Sequence, residues 1–265
     1  MKLGRNLYLW SGFNIRMISN IISIPKRYVI LKKEAKKLLT QYTKDDEFFP
    51  ICNFYPCLLD KNEEAGSNRG GYFWQDLICA QKIFINRPEC HIDIGSRIDG
   101  FVTHVASFRK IYVLDIRPLS NIIPNVTFKQ CDIMDSQNIE KECTDSISCL
   151  HCLEHFGLGR YGDPLCYNGH LIGFNNIYAM LKPKGKFYFS VPLGIQRLEF
   201  NAHRIFSLRF LISLISPYFE IDNFSYIDEK GNLNPDVEIS NKLIESNCGC
   251  NGNGYGVAVF ELTKK

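Results

Sequence analysis

The feature that most constrains this chain is a rhythm in its second half. Seven short runs rich in β-branched and aromatic residues occupy positions 91–94, 111–115, 126–131, 146–150, 186–191, 219–227 and 256–262, and helical or turn-rich segments separate them. Strands that alternate with helices are joined by crossovers, which lay helices over both faces of a mostly parallel sheet. The expected class is therefore α/β, with one seven-stranded sheet.

The 265 residues suffice for one such domain and an N-terminal extension. Residues 72–84 read as the helix that leads into the sheet, because Phe73, Leu77, Ala80 and Phe84 recur near helical spacing. Ahead of them, residues 45–71 hold Asp45, Asp46, Glu47, Pro50, Pro56 and the turn-forming run 63–71, an irregular connection. The expected organisation is an extension over 1–44, a connection over 45–71 and the α/β domain over 72–265. Hydrophobic residues at 45% and charged residues at 22% exclude wholesale disorder and a multi-span membrane protein.

Charge is unevenly placed. Residues 1–44 carry ten Lys or Arg against the single acid Glu34, so a net +3 chain has an acidic remainder. Leu7, Leu9, Trp10, Phe13, Ile15, Met17, Ile18, Ile21 and Ile22 stand among those basic residues, broken by Arg16 and Asn20. One reading is a helix packed on the domain with a solvated basic face; the other is peripheral contact with an anionic membrane. No zinc-finger or RNP signature accompanies the basic excess, so no specific nucleic-acid partner is expected. The eleven cysteines lie in apolar runs and no secretory leader precedes them, which fits a reducing cytoplasm, at most peripheral at the inner membrane face. Neither Cys248-Gly249-Cys250 nor Cys149-Leu150-His151-Cys152 has a second pair at zinc spacing, so no metal is expected.

In an open α/β sheet, ligands bind beyond the carboxyl ends of the strands where strand order reverses. After the first strand, Gly95 lets backbone approach a ligand, and Asp93 could hold an ammonium group. Twenty residues on, Asp115 ends the second strand, where a carboxylate can accept both ribose hydroxyls. Asp132 follows the third, placed to accept from an adenine amino group while Ile133 covers the ring. An aspartate at a strand end is also a common cap or turn former, and that alternative stands beside each of these roles.

Taken together these residues resemble the class I S-adenosylmethionine-dependent methyltransferases. Residues 145–155 look like that class's fourth strand and the acid-histidine pair after it, and 181–192 like its fifth strand with the preceding loop. A narrower resemblance, to the methyltransferase-like domain of unknown function 268 family, rests on residues 154–164, on Asn201-Ala202-His203-Arg204 and on Asp115-Ile116-Arg117-Pro118. The resemblance implies a Rossmann-like sheet with an antiparallel final strand. It also implies S-adenosylmethionine as cofactor, held by Asp93, Gly95, Ser96, Asp115, Ile116, Asp132, Ile133 and Leu150. The family's association with surface-polysaccharide synthesis implies a small-molecule, glycan or glycolipid acceptor. The departure from the class is in the glycine turn, where Arg97 and Asp99 follow Gly95 and the next glycine is Gly100.

A hydroxyl acceptor must lose a proton. His151, Glu154, His155 and His203 are the candidate catalytic residues. His155 is the first choice of base, with Glu154 to orient it, because neutral imidazole titrates near working pH. His155 could instead cap a helix or hold the loop that follows it. Arg160, Tyr161, Asp163 and Arg204 are the candidate acceptor contacts; the arginines suit a phosphate or carboxylate, or else a loop salt bridge with Asp163. Two other classes compete: an NAD(P)-dependent nucleotide-sugar oxidoreductase, since Gly95 and Asp115 have a suitable separation, and a non-catalytic scaffold on the same fold.

Overall fold

The computed structural model describes residues 16–41, 55–62, 65–66 and 70–265. The chain divides into two compact units, residues 1–67 and 68–265. Residues 1–15 of the basic extension and most of the irregular connection lie outside the described residues. In the first unit, helix α1 (Arg16–Leu39) contains Pro25 and carries Lys36 and Lys37 in its last turn. Arg27 donates to the Leu58 carbonyl at 2.8 Å and Lys61 pairs with Glu34. Among the described residues no helix is long and apolar enough to cross a membrane.

The second unit follows the expected alternation. Helix α2 (Gly71–Asn86) precedes β1 (His91–Ile94), α3 (Thr103–Ala106), β2 (Ile111–Asp115), β3 (Val126–Gln130), β4 (Thr144–Leu150) and α4 (Gly169–Met180). Then come β5 (Leu181–Leu193), β6 (Arg197–Glu199), β7 (His203–Ile205), α5 (Leu208–Ile215), β8 (Phe219–Ile227), β9 (Leu233–Asn234), α6 (Asn241–Ser246) and β10 (Gly256–Lys264). The sheet order is β3-β2-β1-β4-β5-β10-β8-β9. Strands β1 to β5 pair in parallel, and β10 runs antiparallel between β5 and β8. This is the Rossmann-like methyltransferase fold with its reversed last strand.

The strand count needs correction. The sheet has eight strands rather than seven, because the two-residue β9 pairs with β8, and a separate hairpin joins β6 to β7. Strands of two or three residues are too short to carry a period, so the sequence does not announce them. The buried face of α2 differs too: Gln75, Asp76, Cys79, Ala80 and Ile83 are buried, whereas Phe73 and Phe84 are exposed. The helix carries apolar residues on two faces, and the one that packs includes polar groups.

Those groups belong to a polar seam under α2. Alternate residues of each central strand face opposite layers, so Ile147, Phe187 and Phe189 join the core of α4 and α5, while Leu150 and Tyr188 join that of α2 and α3. On the α2 side, Ser146 and Ser148 bond the His91 ring at 2.7 and 3.1 Å, and Ser190 donates to Gln75 at 2.6 Å. Burial holds His91 neutral, its pKa lowered to about 3.

Candidate active site

Strand order reverses between β1 and β4, and a cavity of about 290 Å³ opens beyond their carboxyl ends. From the first three strands it is lined by Gly95, Asp115, Ile116, Asp132 and Ile133. From β4 and the loop after it come Leu150, His151, His155, Arg160, Tyr161 and Asp163. Of the residues singled out from sequence, Asp93, Ser96, Glu154, His203 and Arg204 do not line it. It also takes in Tyr72, Arg97, Arg117, Met134, Cys152 and Phe156, to which the sequence reading gave no role. Arg117 stands in the Asp115-Ile116-Arg117-Pro118 run, so a signal existed; Tyr72 comes from α2, ahead of every strand, with no local signal.

Two backbone positions bring the walls together. Gly95 has φ +67°, and a Cβ there would lie 2.2 Å from the Cys152 sulfur. Glycine is thus required twice, for the turn after β1 and for the passage of the β4 loop behind it. At the end of β4, His151 takes φ +51°, which turns the chain sharply out of the strand.

The first wall is internally matched. Asp93 is fully buried and accepts from the Ser96 N–H at 3.0 Å, the Ser96 hydroxyl at 2.7 Å and the Ser148 hydroxyl at 2.6 Å. The ligand-ammonium role read from sequence is therefore corrected: its place in β1, two residues from His91, turns it into the covered face. Burial outweighs the hydroxyl bonds and raises its pKa to about 6. Asp115 meets Arg117 in a fork, Nε to Oδ1 at 3.0 Å and Nη2 to Oδ2 at 2.5 Å, and Arg117 also reaches the Gly95 carbonyl at 3.3 Å. Arg97 pairs with Asp99 at 2.6 Å on the exposed rim. One oxygen of Asp132 accepts from the Met134 N–H at 2.8 Å, the turn-forming bond weighed from sequence.

On the second wall the carboxylate expected to orient His155 bonds His151 instead. His151 Nδ1 lies 2.8 Å from Glu154 Oε1, whereas His155 Nε2 is 3.8 Å from the same oxygen. Because a carboxylate only accepts, His151 carries its proton on Nδ1 and leaves Nε2 as the basic nitrogen. His155 Nδ1 donates to the Ala202 carbonyl at 2.8 Å, the loop-holding role weighed as its alternative. Burial lowers the His155 pKa despite the Glu154 charge. Glu154 is 1% exposed; burial pushes its pKa up, but the electrostatic pull and hydrogen bond of the His151 Nδ1–H prevail and hold it low. Its Oε2 has no hydrogen-bond partner among the described residues. Beside them Tyr72 stacks obliquely on His151, centroids 5.0 Å apart, and burial with the Glu154 charge raises its pKa to about 12.

The two candidate anion-binding arginines part company. Arg204 is buried and donates to the carbonyls of Glu154, Phe156 and Tyr167 at 3.3, 2.6 and 2.9 Å. Its anion-binding role is corrected, since the guanidinium is spent on holding the β4 loop. Arg160 donates once, to the Ala202 carbonyl at 2.9 Å, and lies over Tyr161 at 5.1 Å. Asp163 accepts from the N–H groups of Gly159 and Tyr161, both at 3.2 Å, rather than from either arginine. His203 lies behind His155, its Nε2 3.7 Å from Glu199. Among the described residues no cluster of three or more His, Cys, Asp or Glu could hold a metal.

Strand order, with β10 reversed between β5 and β8, is that of the Rossmann-like methyltransferase fold. The profile of the family described as "Caenorhabditis protein of unknown function, DUF268" matches residues 121–248, slightly under half of the chain. No curated protein matches the sequence. Among solved structures, the chain is similar to 1,6-didemethyltoxoflavin-N1-methyltransferase of Burkholderia thailandensis, solved with S-adenosylhomocysteine. The identity is 14%, over 72% of this chain and 78% of that one, with a TM-score of 0.47. The N-methyltransferase NodS of Bradyrhizobium japonicum WM9, also with S-adenosylhomocysteine, is 12% identical over 81% and 94%, with a TM-score of 0.46. The [4+2]-cyclase SpnF is 13% identical over 76% and 85%, with a TM-score of 0.49.

Proposed function

We propose that this chain is an S-adenosylmethionine-dependent methyltransferase in which His151, oriented by Glu154, takes the proton of the acceptor. The observation that carries the reading is that the basic nitrogen of a carboxylate-held histidine shares a cavity with the strand-end residues suited to an adenosyl ligand. The residues present fit such a ligand. Gly95 removes the Cβ that would crowd the turn, and Asp115, Asp132 and Ile133 line the same cavity, where Asp115 would accept from the ribose hydroxyls and Asp132 with Ile133 would hold adenine. When bound, the cofactor supplies an electrophilic methyl group on a sulfonium. The chain's part is to hold donor and acceptor in line, which can account for much of the acceleration. Glu154 fixes the His151 tautomer, and Nε2 accepts the acceptor's proton as the new bond forms. Hydroxyl groups of a sugar or glycolipid, as the family resemblance implies, are the first acceptors to screen, and amines the second.

Thermal shift with S-adenosylmethionine, S-adenosylhomocysteine, NAD and NADP tests the reading. Each adenosyl ligand at a hundred times its Kd should stabilise the fold by about 2.7 kcal/mol, and the dinucleotides should not. A shift with dinucleotides alone would mean an oxidoreductase, against which the reversed β10 already argues; no shift at all would mean a scaffold.

A further inference from the structure

Three arginines line the cavity, and their electrostatic circumstances differ. Arg97 and Arg117 each meet a carboxylate within 2.6 Å. Arg160 meets none within ion-pair distance among the described residues, although Asp163 is only three positions away. Asp163 spends its oxygens on two N–H groups of the same loop, which leaves the guanidinium without a counter-charge.

The loop that presents Arg160 is built rather than slack. Gly157 and Gly159 take φ +77° and +70°, and a Cβ on Gly157 would lie 2.0 Å from the Cys166 carbonyl oxygen. Cys166 donates back to Gly157 at 2.9 Å, closing the loop. The Tyr161 ring lies under the guanidinium and meets the His155 ring edge-on at 5.3 Å. Arg160 and His155 both donate to Ala202, whose turn between β6 and β7 therefore fixes them side by side. A planar guanidinium held by one nitrogen and one ring face keeps its other N–H groups for a ligand, in a fork that matches an oxyanion.

We propose that Arg160, backed by Tyr161, is an oxyanion subsite for the acceptor, so that the molecule methylated carries a phosphate or carboxylate group besides the atom that receives the methyl. This rests on the methyltransferase reading and narrows its substrate class. The cofactor's own carboxylate is the other source of an oxyanion. Arg160 is tied to the β6–β7 hairpin, whereas Arg117, over the same Tyr161 ring at 4.8 Å, reaches the Gly95 carbonyl, so the effect of Arg160 variants on S-adenosylhomocysteine affinity tells the two sources apart.

The test titrates inorganic phosphate and acetate, by calorimetry, into wild type, Arg160→Ala and Arg160→Lys, each with and without saturating S-adenosylhomocysteine. Wild type should bind at least one of the two anions saturably; Arg160→Ala should lose about tenfold or more in that affinity, and Arg160→Lys should fall between, because lysine keeps the charge but not the fork. S-adenosylhomocysteine affinity should move less than about threefold in either variant, against the tenfold loss expected of a charge-assisted contact. Absence of saturable anion binding, equal binding by Arg160→Ala, or a loss confined to S-adenosylhomocysteine would each overturn the subsite. Failure of wild type to bind S-adenosylhomocysteine would overturn the methyltransferase reading instead, and the titrations without it would still decide Arg160.

Discussion

The two walls of the cavity differ in how their charges are used. Around β1 and β2 each charged group already has a partner: Asp93 three donors, Asp115 the fork of Arg117, Arg97 the carboxylate of Asp99. Along the β4 loop His151 is held by Glu154 with its Nε2 left as the basic nitrogen, and Arg160 meets no carboxylate within ion-pair distance among the described residues. Behind them the buried Glu154 keeps an oxygen without a hydrogen bond among those residues. A ligand on the first wall must exchange with bonds already made. On the second it completes bonds that are missing. Polar capacity left unmet in a cavity wall costs stability, and its concentration on one wall is what the proposed proton transfer and anion binding would use.

The largest effect should therefore come from the second wall. His151→Ala is expected to lower kcat by about 10² to 10⁴ with S-adenosylhomocysteine affinity nearly intact, and Glu154→Gln to lose part of that by loosening the tautomer. His155→Ala should cost less turnover and more thermal stability, since its bond to Ala202 braces the loop. Methyl incorporation and melting curves on the three variants decide it. If His155→Ala is the slower enzyme, the assignment of the two histidines is reversed.

A smaller effect separates the walls by pH. Asp93 has a folded-state pKa raised from 3.8 to about 6. The folded form thus binds its proton more tightly than the unfolded chain does. Stability from this group is present below the unfolded pKa and lost as pH rises through about 6, a swing of about 3 kcal/mol. In Asp93→Asn that swing is absent, while other titrations, such as that of His91, are common to both proteins. Urea unfolding at pH 4.5 and 7 should show wild type losing ground to the variant as pH rises. A gap that does not change with pH would mean that hydroxyl bonds alone suffice for this buried charge.

The strand rhythm made most of the sheet legible: β1, β2 and β8 fall on the expected residues, and β5 and β10 only extend beyond them. A buried parallel strand is an apolar run by necessity, so it is conspicuous in sequence. The site was legible at the level of which strand ends converge, and less so in partnership. Spacing lets Glu154 reach either His151 or His155, three residues one way and one the other, and the fold after the left-handed turn at His151 sets it against His151. Likewise Arg160 and Arg204 are equivalent as letters. That one is buried among three carbonyls and the other is open to the cavity depends on the β6–β7 hairpin, whose strands are too short to be foreseen.

The smallest effect, and the one that could break the comparison, concerns the Asp115–Arg117 fork. If the first wall is matched and a ligand must exchange with it, Asp115→Ala and Arg117→Ala should move cofactor affinity in opposite directions. Loss of the carboxylate removes the acceptor for ribose and should weaken S-adenosylhomocysteine binding by about 1 to 3 kcal/mol. Loss of the guanidinium removes a competitor. The arginine side chain is 40% exposed, so its pair is screened and the gain should not exceed about 1 kcal/mol. In the double variant the gain should vanish, because without Asp115 there is nothing for Arg117 to withhold. Calorimetry on the four proteins of this cycle reads all three terms. Should Arg117→Ala bind more weakly instead, with the deficit persisting in the double variant, Arg117 would be a direct ligand contact, through the position it now takes at the Gly95 carbonyl. The first wall would then hold unmet capacity of its own, and the contrast between the walls would be one of degree.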